Sequence, residues 1–276
     1  MINLDEISHN LKLDKNGFWV SDRTKAVSYP SEGSELYAEI EENSFWFEHR
    51  NKVIVAAARN FSPNGTIFDV GGGNGFVAKG LLEAGFECVL IEPSESGARK
   101  ALDRGVKQVV CATTETAGFR PNSVPNIGLF DVVEHIENDF EFLKHLHSLI
   151  VKGGKVYLTV PAYSWLWSHE DVYAGHFRRY TQKSLSQVLR RAGFEIKYAT
   201  YFFRFLPPAI FLLRTIPAFF NRRNVSSPPE TTKKRHEPQA GLAGAAFNKI
   251  LNGEINLIEQ KKRISFGGSC LIVAQS

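Results

Sequence analysis

The run Ile67-Phe68-Asp69-Val70-Gly71-Gly72-Gly73-Asn74-Gly75 is the most chemically specific in the chain, an apolar strand pattern that enters glycines and then passes directly into a helical pattern. Glycines tolerate positive φ and let a ligand approach the backbone, and the helix that follows opens with unpaired N–H groups, so the turn suits a nucleotide cofactor. Glu92 ends the next apolar run, 17 residues after Gly75, where a carboxylate can accept from both hydroxyls of a ribose. Three histidines, His135, His169 and His176, follow later strand patterns. A histidine near its ordinary pKa is a general base that speeds deprotonation of a hydroxyl by roughly 10²–10⁴. Trp46, Tyr163, Trp165 and Trp167 offer ring faces, which attract a cation by about 0.5–2 kcal/mol. Arg178 and Arg179 beside Tyr180 offer planar forks that would clamp a carboxylate or phosphate of a substrate. Asp131-x-x-Glu134-His135 has the residue types of a divalent-cation set, but no second well-spaced histidine follows, and no metal is assigned.

These residues need a scaffold, and the hydrophobic pattern supplies one. From Thr66 onward short β-branched runs alternate with helical patterns, the signature of a parallel sheet covered by helices. Strands are expected at Thr66–Val70, Glu87–Ile91, Gln108–Ala112, Gly128–Val133, Lys155–Val160, Glu195–Phe203 and Ser269–Ala274. Helices are expected at Gly75–Ala84, Glu95–Arg104, Asp139–Val151, Gln182–Ala192 with Thr181 as its cap, and Gly244–Lys262. Gly85, Gly105, Gly153 and Gly193 stand where C-terminal glycines end helices. In such a sheet ligands bind at the carboxyl edge, where the glycine turn, Glu92 and the three histidines all fall.

Asp69-x-Gly71-x-Gly73-x-Gly75 resembles the first motif of class I S-adenosylmethionine-dependent methyltransferases. The resemblance runs through Leu129-Phe130-Asp131-Val132-Val133-Glu134-His135-Ile136 and Gly153-Gly154-Lys155-Val156, and covers roughly residues 60–203 and 264–276. A narrower likeness, in Phe45-Trp46-Phe47 with Arg50, Val160-Pro161-Ala162-Tyr163-x-Trp165-Leu166-Trp167 and Gly175-His176-Phe177-Arg178-Arg179-Tyr180-Thr181, is to bacterial members whose substrates are mostly unassigned. The resemblance implies a Rossmann-like α/β sheet, mostly parallel with an antiparallel last strand. It further implies an N-terminal helical cap (1–60), an S-adenosylmethionine-binding core (61–203), a hydrophobic and basic insertion (204–263) and a final core strand (264–276). The cofactor's amino-acid end is then expected against Asp69, Gly71, Gly73 and Gly75 with Trp46 near its sulfonium, the ribose on Glu92, and the adenine near Pro93, Thr113 and Thr114. His135, His169 and His176 become candidate bases, and Tyr163, Trp167, Arg178, Arg179 and Tyr180 candidate contacts to a small-molecule or lipid- or glycan-linked acceptor, with O-methylation as the expected reaction.

Two rivals follow from the same residues. Gly73-x-Gly75-x-x-Ala78 fits a dinucleotide fingerprint and would make the chain a nicotinamide-dependent oxidoreductase, although that register starts two residues late and the final antiparallel strand has no place in it. A non-catalytic cofactor-binding protein is the other. Composition narrows the field: 276 residues with 43% hydrophobic content support one large domain or a core with an appendage, and the net charge is +4. Five basic residues against two acidic ones lie within 221–239, so no broad basic face is left for nucleic acid. Cys88, Cys111 and Cys270 sit in strand patterns and read as reduced core thiols of a cytoplasmic protein. The first residues lack a signal peptide's apolar run. Tyr201–Phe220 is aromatic and proline-interrupted, and with the basic stretch to 240 it is expected to form a lid or a peripheral membrane contact.

Overall fold

A computed structural model describes residues 2–21, 44–215 and 242–276 of the chain. Nine strands form one sheet: β1 (Leu11–Leu13), β2 (Trp19–Ser21), β3 (Ile67–Val70), β4 (Cys88–Ile91), β5 (Val109–Cys111), β6 (Asn126–Phe130), β7 (Lys155–Pro161), β8 (Glu195–Phe202) and β9 (Ser269–Gln275), in the order 1-2-5-4-3-6-7-9-8. Strands β3 to β7 are mutually parallel, and β9 inserts antiparallel between β7 and β8. The sheet is therefore mostly parallel with an antiparallel last strand, as the resemblance implies. The chain winds outward from β3 to β5, then returns to β6 and winds the other way, which leaves a crevice between β3 and β6 at the carboxyl edge.

Alternation of side chains divides the core. Phe68 and Val70 pack with Leu129 and Leu158 under α5 (Asp139–Leu149) and α7 (Gln182–Arg191). Ile67, Leu90, Tyr157 and Leu271 pack on the other face under α2 (Phe45–Asn60), α3 (Phe76–Glu83), α4 (Glu95–Asp103) and α9 (Leu242–Glu259). Thr181 caps α7 through a reciprocal pair with Ser184, as its position predicts. Cys88 and Cys270 are buried free thiols, while Cys111 is half-buried.

Three features differ from expectation. The N-terminal segment is more than a helical cap: β1 and β2 join the sheet beside β5, and among its described residues α1 (Leu4–Ile7) and α2 are helical. Strand β6 starts and ends earlier than the apolar run, because the buried Asn126 side chain stitches the strand start to Gly65 and Lys155, and the chain leaves the sheet at Asp131 with φ of 59°. Tyr201 and Phe202, shared between the expected strand Glu195–Phe203 and the aromatic stretch expected as a lid, belong to the strand as the buried end of β8, and Phe203 follows it, also buried. Exposed apolar side chains begin at Phe211 and Leu212, beyond α8 (Leu206–Ile210). The rest of that aromatic and basic stretch, 216–240, lies outside the described residues. Among the described residues no helix is long and apolar enough to cross a membrane.

The insertion's helix does not stand apart. Glu254 of α9 is buried against His49 of α2 at 3.0 Å and also accepts the Phe203 and Arg204 N–H groups, and the Asn60 amide donates to the Ile258 carbonyl. Cap helix and insertion helix thus pack on one another and fix the end of β8.

Candidate functional site

The glycine turn is folded around its own carboxylates. Gly71, Gly73 and Gly75 have φ of 70°, 53° and 78°, left-handed values that side chains resist. A Cβ on Gly71 would come within 2.9 Å of Val132, and one on Gly75 within 2.9 Å of Ala101, whereas nothing stands within 4 Å of a Cβ on Gly73. Two of the glycines therefore allow close packing, and the third leaves open space for a ligand. Gly75 is the N-cap of α3 without a capping side chain, and Asp69 reaches up from β3 to accept the Ala78 N–H instead. Only 1% of Asp69 is exposed, and its Oδ2 has no hydrogen-bond partner among the described residues. Burial pushes its carboxyl up to about 7, against the pull of Arg50.

Glu92, also buried, takes the Gly73 N–H on Oε2 (3.0 Å) and the Ser94 N–H on Oε1 (2.9 Å). Each oxygen keeps capacity for one more donor, as two ribose hydroxyls would require. Burial raises its pKa, and the two backbone N–H groups oppose the rise. Gly97, in the first turn of α4, permits this: its Cβ would meet Glu92 Cγ at 2.9 Å and the Gly73 carbonyl at 3.1 Å. Sequence reasoning missed Gly97, although the small-residue series Gly97, Ala98 and Ala101 on α4 was a visible sign of close approach. Pro93 follows Glu92 directly. Thr114 is buried nearby, and Thr113 is spent on a local turn with Thr116.

Across the crevice, the chain after β6 builds the second half. Asp131 pairs with Arg50 of α2 and accepts from the Thr159 hydroxyl at 3.1 Å. Arg50 lies over the rings of Trp46 (4.9 Å) and Phe47 (5.1 Å), and Trp46 stacks on Phe203 at 5.7 Å. Trp46 is thereby held beside the β6 edge by an ion pair that the tripeptide and Arg50 pattern only hinted at. Asp131, Tyr163 and Phe203, which follow β6, β7 and β8, all carry positive φ (59°, 57° and 57°). Such backbone costs about 1–2 kcal/mol per residue, and its concentration at one sheet edge marks a place where the fold stores strain.

Of the three candidate bases, two converge. The rings of His135 and His176 are 4.7 Å apart, and His176 Nδ1 lies 2.8 Å from Asp171 Oδ1. His169 opens α6 (His169–Tyr173) and is not part of this cluster. Burial, with His176 adding, pushes the His135 imidazole down to about 4, so it is neutral at physiological pH. Glu134 is fully buried, and among the described residues neither of its carboxyl oxygens is hydrogen-bonded; burial and the neighbouring Asp131 raise its pKa well above the carboxylate range. One ligand atom each from Glu134, His135 and His176 lie within 4.8 Å of one another, so the histidine that sequence spacing denied to the Glu134-His135 pair is supplied by tertiary folding.

The substrate clamp expected of Arg178, Arg179 and Tyr180 is not presented. Arg178 and the Tyr180 hydroxyl bond Asp139 at 3.0 and 2.7 Å, and Arg178 also donates to the Glu137 carbonyl. Arg179 bonds Asp171 at 2.7 Å and the Ala162 carbonyl. Asp171, missed in the sequence, is thus shared by His176 and Arg179; burial pushes its carboxyl up, but those hydrogen bonds and the Ser168 N–H win and hold it below the usual range. Tyr163 stacks with Trp165, Tyr201 and Phe266, whose outer rings Trp165 and Phe266 are 46% and 40% exposed. Trp167 is half-buried in the connection after β7.

Comparison with known proteins agrees with this geometry. A family model described as a methyltransferase domain matches residues 43–199, more than half of the chain. No curated protein matches in sequence. Among solved structures, an S-adenosylmethionine-dependent methyltransferase from Archaeoglobus fulgidus is similar at 18% identity and a TM-score of 0.52, over 87% of this chain and 99% of that one. A possible histamine N-methyltransferase from Thermotoga maritima is similar at 18% identity and 0.54, over 88% and 97%. Phosphoethanolamine N-methyltransferase 2 of Haemonchus contortus, solved with S-adenosylmethionine, is similar at 16% and 0.55, over 94% of this chain and 61% of that one. At these identities the likeness shows the fold, and the family model carries the assignment: the chain belongs to the methyltransferase-domain family, as an S-adenosylmethionine-dependent methyltransferase of the class I fold.

Proposed function

We propose that the chain transfers a methyl group to an oxygen of a small-molecule or lipid- or glycan-linked acceptor that enters at the carboxyl edge between the glycine turn and the Asp131–His176 half. The observation that supports this most is the division of the crevice. On one side stand Asp69, the open Gly73 and Glu92; on the other stand His135 and His176, beside Asp131 and the Trp46 ring. S-adenosylmethionine, when bound, supplies a methyl group on a sulfonium, and displacement at that carbon demands alignment and dryness more than it demands covalent chemistry.

The chain's residues answer those demands in order. Glu92 would accept the ribose hydroxyls, and Asp69 would face the cofactor's ammonium. Trp46 would lay a ring face towards positive charge. Positioning of this kind supplies about 7–11 kcal/mol of a barrier. His176, oriented by Asp171, would take the acceptor's proton on Nε2, since Nδ1 already faces the carboxylate. The exposed rings of Trp165, Phe211 and Phe266 favour an acceptor with an apolar portion.

Titration calorimetry with S-adenosylhomocysteine, and with NAD⁺ in parallel, tests the cofactor half. Saturable binding of the first alone is expected, and binding of NAD⁺ alone would overturn the reading. A screen of phenols, sugars and prenylated alcohols then tests the acceptor half; transfer only to amines would refute the oxygen assignment.

A further inference from the structure

Glu134 is a carboxylate that the polypeptide itself leaves unanswered. Its side chain is 0% exposed and neither oxygen has a hydrogen-bond partner among the described residues. A buried carboxyl with both oxygens unpaired costs free energy even when it is neutral, and a cation from outside the polypeptide would answer it. The short 3₁₀ turn Val133–His135 that carries it also carries His135, and the Phe177 N–H donates to the Glu134 carbonyl at 2.8 Å, which ties the loop bearing His176 to the same turn. Three donors of two kinds thereby meet within 4.8 Å: a carboxylate oxygen and two imidazole nitrogens.

We propose that Glu134, His135 and His176 form a site for a divalent transition-metal ion, with Asp171 as the positioning residue for His176. Ligand atoms at about 2.0–2.2 Å from a common ion lie roughly 3–4 Å apart, so a closing movement of about 1 Å completes the set. Each histidine already has the outer partner that metal-bound imidazoles use. His176 Nδ1 faces Asp171, leaving Nε2 as the ligand atom, and the His135 ring is hydrogen-bonded to the backbone of Ala174 and Gly175. Asp171 is itself fixed by Arg179 and by the Ser168 N–H, so the orientation of His176 is over-determined. Two imidazoles with one carboxylate select the Mn²⁺ to Zn²⁺ series over Mg²⁺ or Ca²⁺, and three protein ligands leave positions open. That an acceptor oxygen takes one of these positions rests on the methyl-transfer reading, and cation binding does not; with an ion on His176 Nε2 that nitrogen no longer serves as the base, and the ion would acidify the acceptor hydroxyl in its place.

The test uses the full chain stripped with chelator and titrated with Co²⁺, followed by calorimetry and by the visible bands of the bound ion. One equivalent is expected in the native protein. Glu134→Gln and His176→Ala should each weaken it at least about a hundredfold, and Asp171→Asn by roughly 10–100-fold with altered bands. S-adenosylhomocysteine affinity, measured on the same stripped samples, reports folding and tests the methyl-transfer reading separately. Glu134→Gln keeps the side-chain volume and is neutral, so it should fold without the ion. No uptake by the native protein, or uptake unchanged in Glu134→Gln and His176→Ala, would overturn the site.

Discussion

Asp69→Asn should stabilise the unliganded protein above neutrality and at the same time weaken the cofactor. The carboxyl is buried, has one orphaned oxygen, and is raised from an ordinary 3.8 to about 7. Between those values the folded state holds a proton that the unfolded state has released. Stability therefore falls as pH rises through this window, the reverse of a salt-bridged acid. The full shift corresponds to about 4 kcal/mol. Between about pH 5.5 and pH 8 the linkage relation assigns about 2 kcal/mol of that loss to Asp69. Urea unfolding of both proteins at the two pH values isolates it, because other groups titrate in both and cancel in the difference. The native protein should lose about 2 kcal/mol more than the variant across the interval. Saturating S-adenosylhomocysteine should shrink that difference, since its ammonium would favour the ionised carboxylate. Parallel pH slopes for the two proteins would refute the claim that Asp69 is held protonated. Unchanged S-adenosylhomocysteine affinity in a folded Asp69→Asn protein would remove it from the cofactor site.

Gly97→Ala should lower S-adenosylhomocysteine affinity about tenfold, or ~1.4 kcal/mol, because its Cβ would press on Glu92 Cγ at 2.9 Å; calorimetry showing no change would detach Glu92 from the ribose. Arg50→Met should cost about 1–2 kcal/mol in chemical denaturation by stranding the half-buried Asp131, and Asp131→Asn in the same chain should recover much of it. His176→Ala should lower kcat with little effect on cofactor affinity, and full turnover in this variant would end its role as base. Leu212→Glu, at a position 60% exposed, should reduce sedimentation with anionic vesicles if the apolar strip after β8 touches lipid; equal sedimentation of both proteins would remove that contact.

What the sequence disclosed and what it hid divide along a physical line. The glycine turn was legible because each of its features is local: a strand pattern, residues that tolerate left-handed backbone, and a helix without a capping side chain lie within ten positions. The alternation of strands and helices was legible for the same reason, since period and C-terminal glycines are properties of a window. β1 and β2 were not, because three-residue strands carry no period and exist only where the edge of β5 offers unpaired backbone groups. Arg178 and Arg179 misled in the opposite sense. Two cations beside the start of a helix oppose its dipole, which locally favours an anionic ligand, but the acids that answer them, Asp139 and Asp171, arrive from other elements.

The same distinction explains the histidines. Glu134 and His135 are adjacent in sequence, and consecutive residues face apart on a helix, so local reasoning discounts them as joint ligands. A tight turn at the carboxyl end of β6 removes that objection, and the positive φ of Asp131 is the backbone distortion that starts it. His176 joins them only because Asp171 grips its ring and the Phe177 N–H binds the Glu134 carbonyl, contacts that no spacing encodes. The residues most exposed to misreading are thus those held by tertiary partners. The proposed cofactor half of the crevice is built from one strand–turn–helix and its neighbour, so it can be read from a motif. The proposed acceptor half is assembled from β6, β7, α2 and the α6 loop, and no single motif spans those four elements.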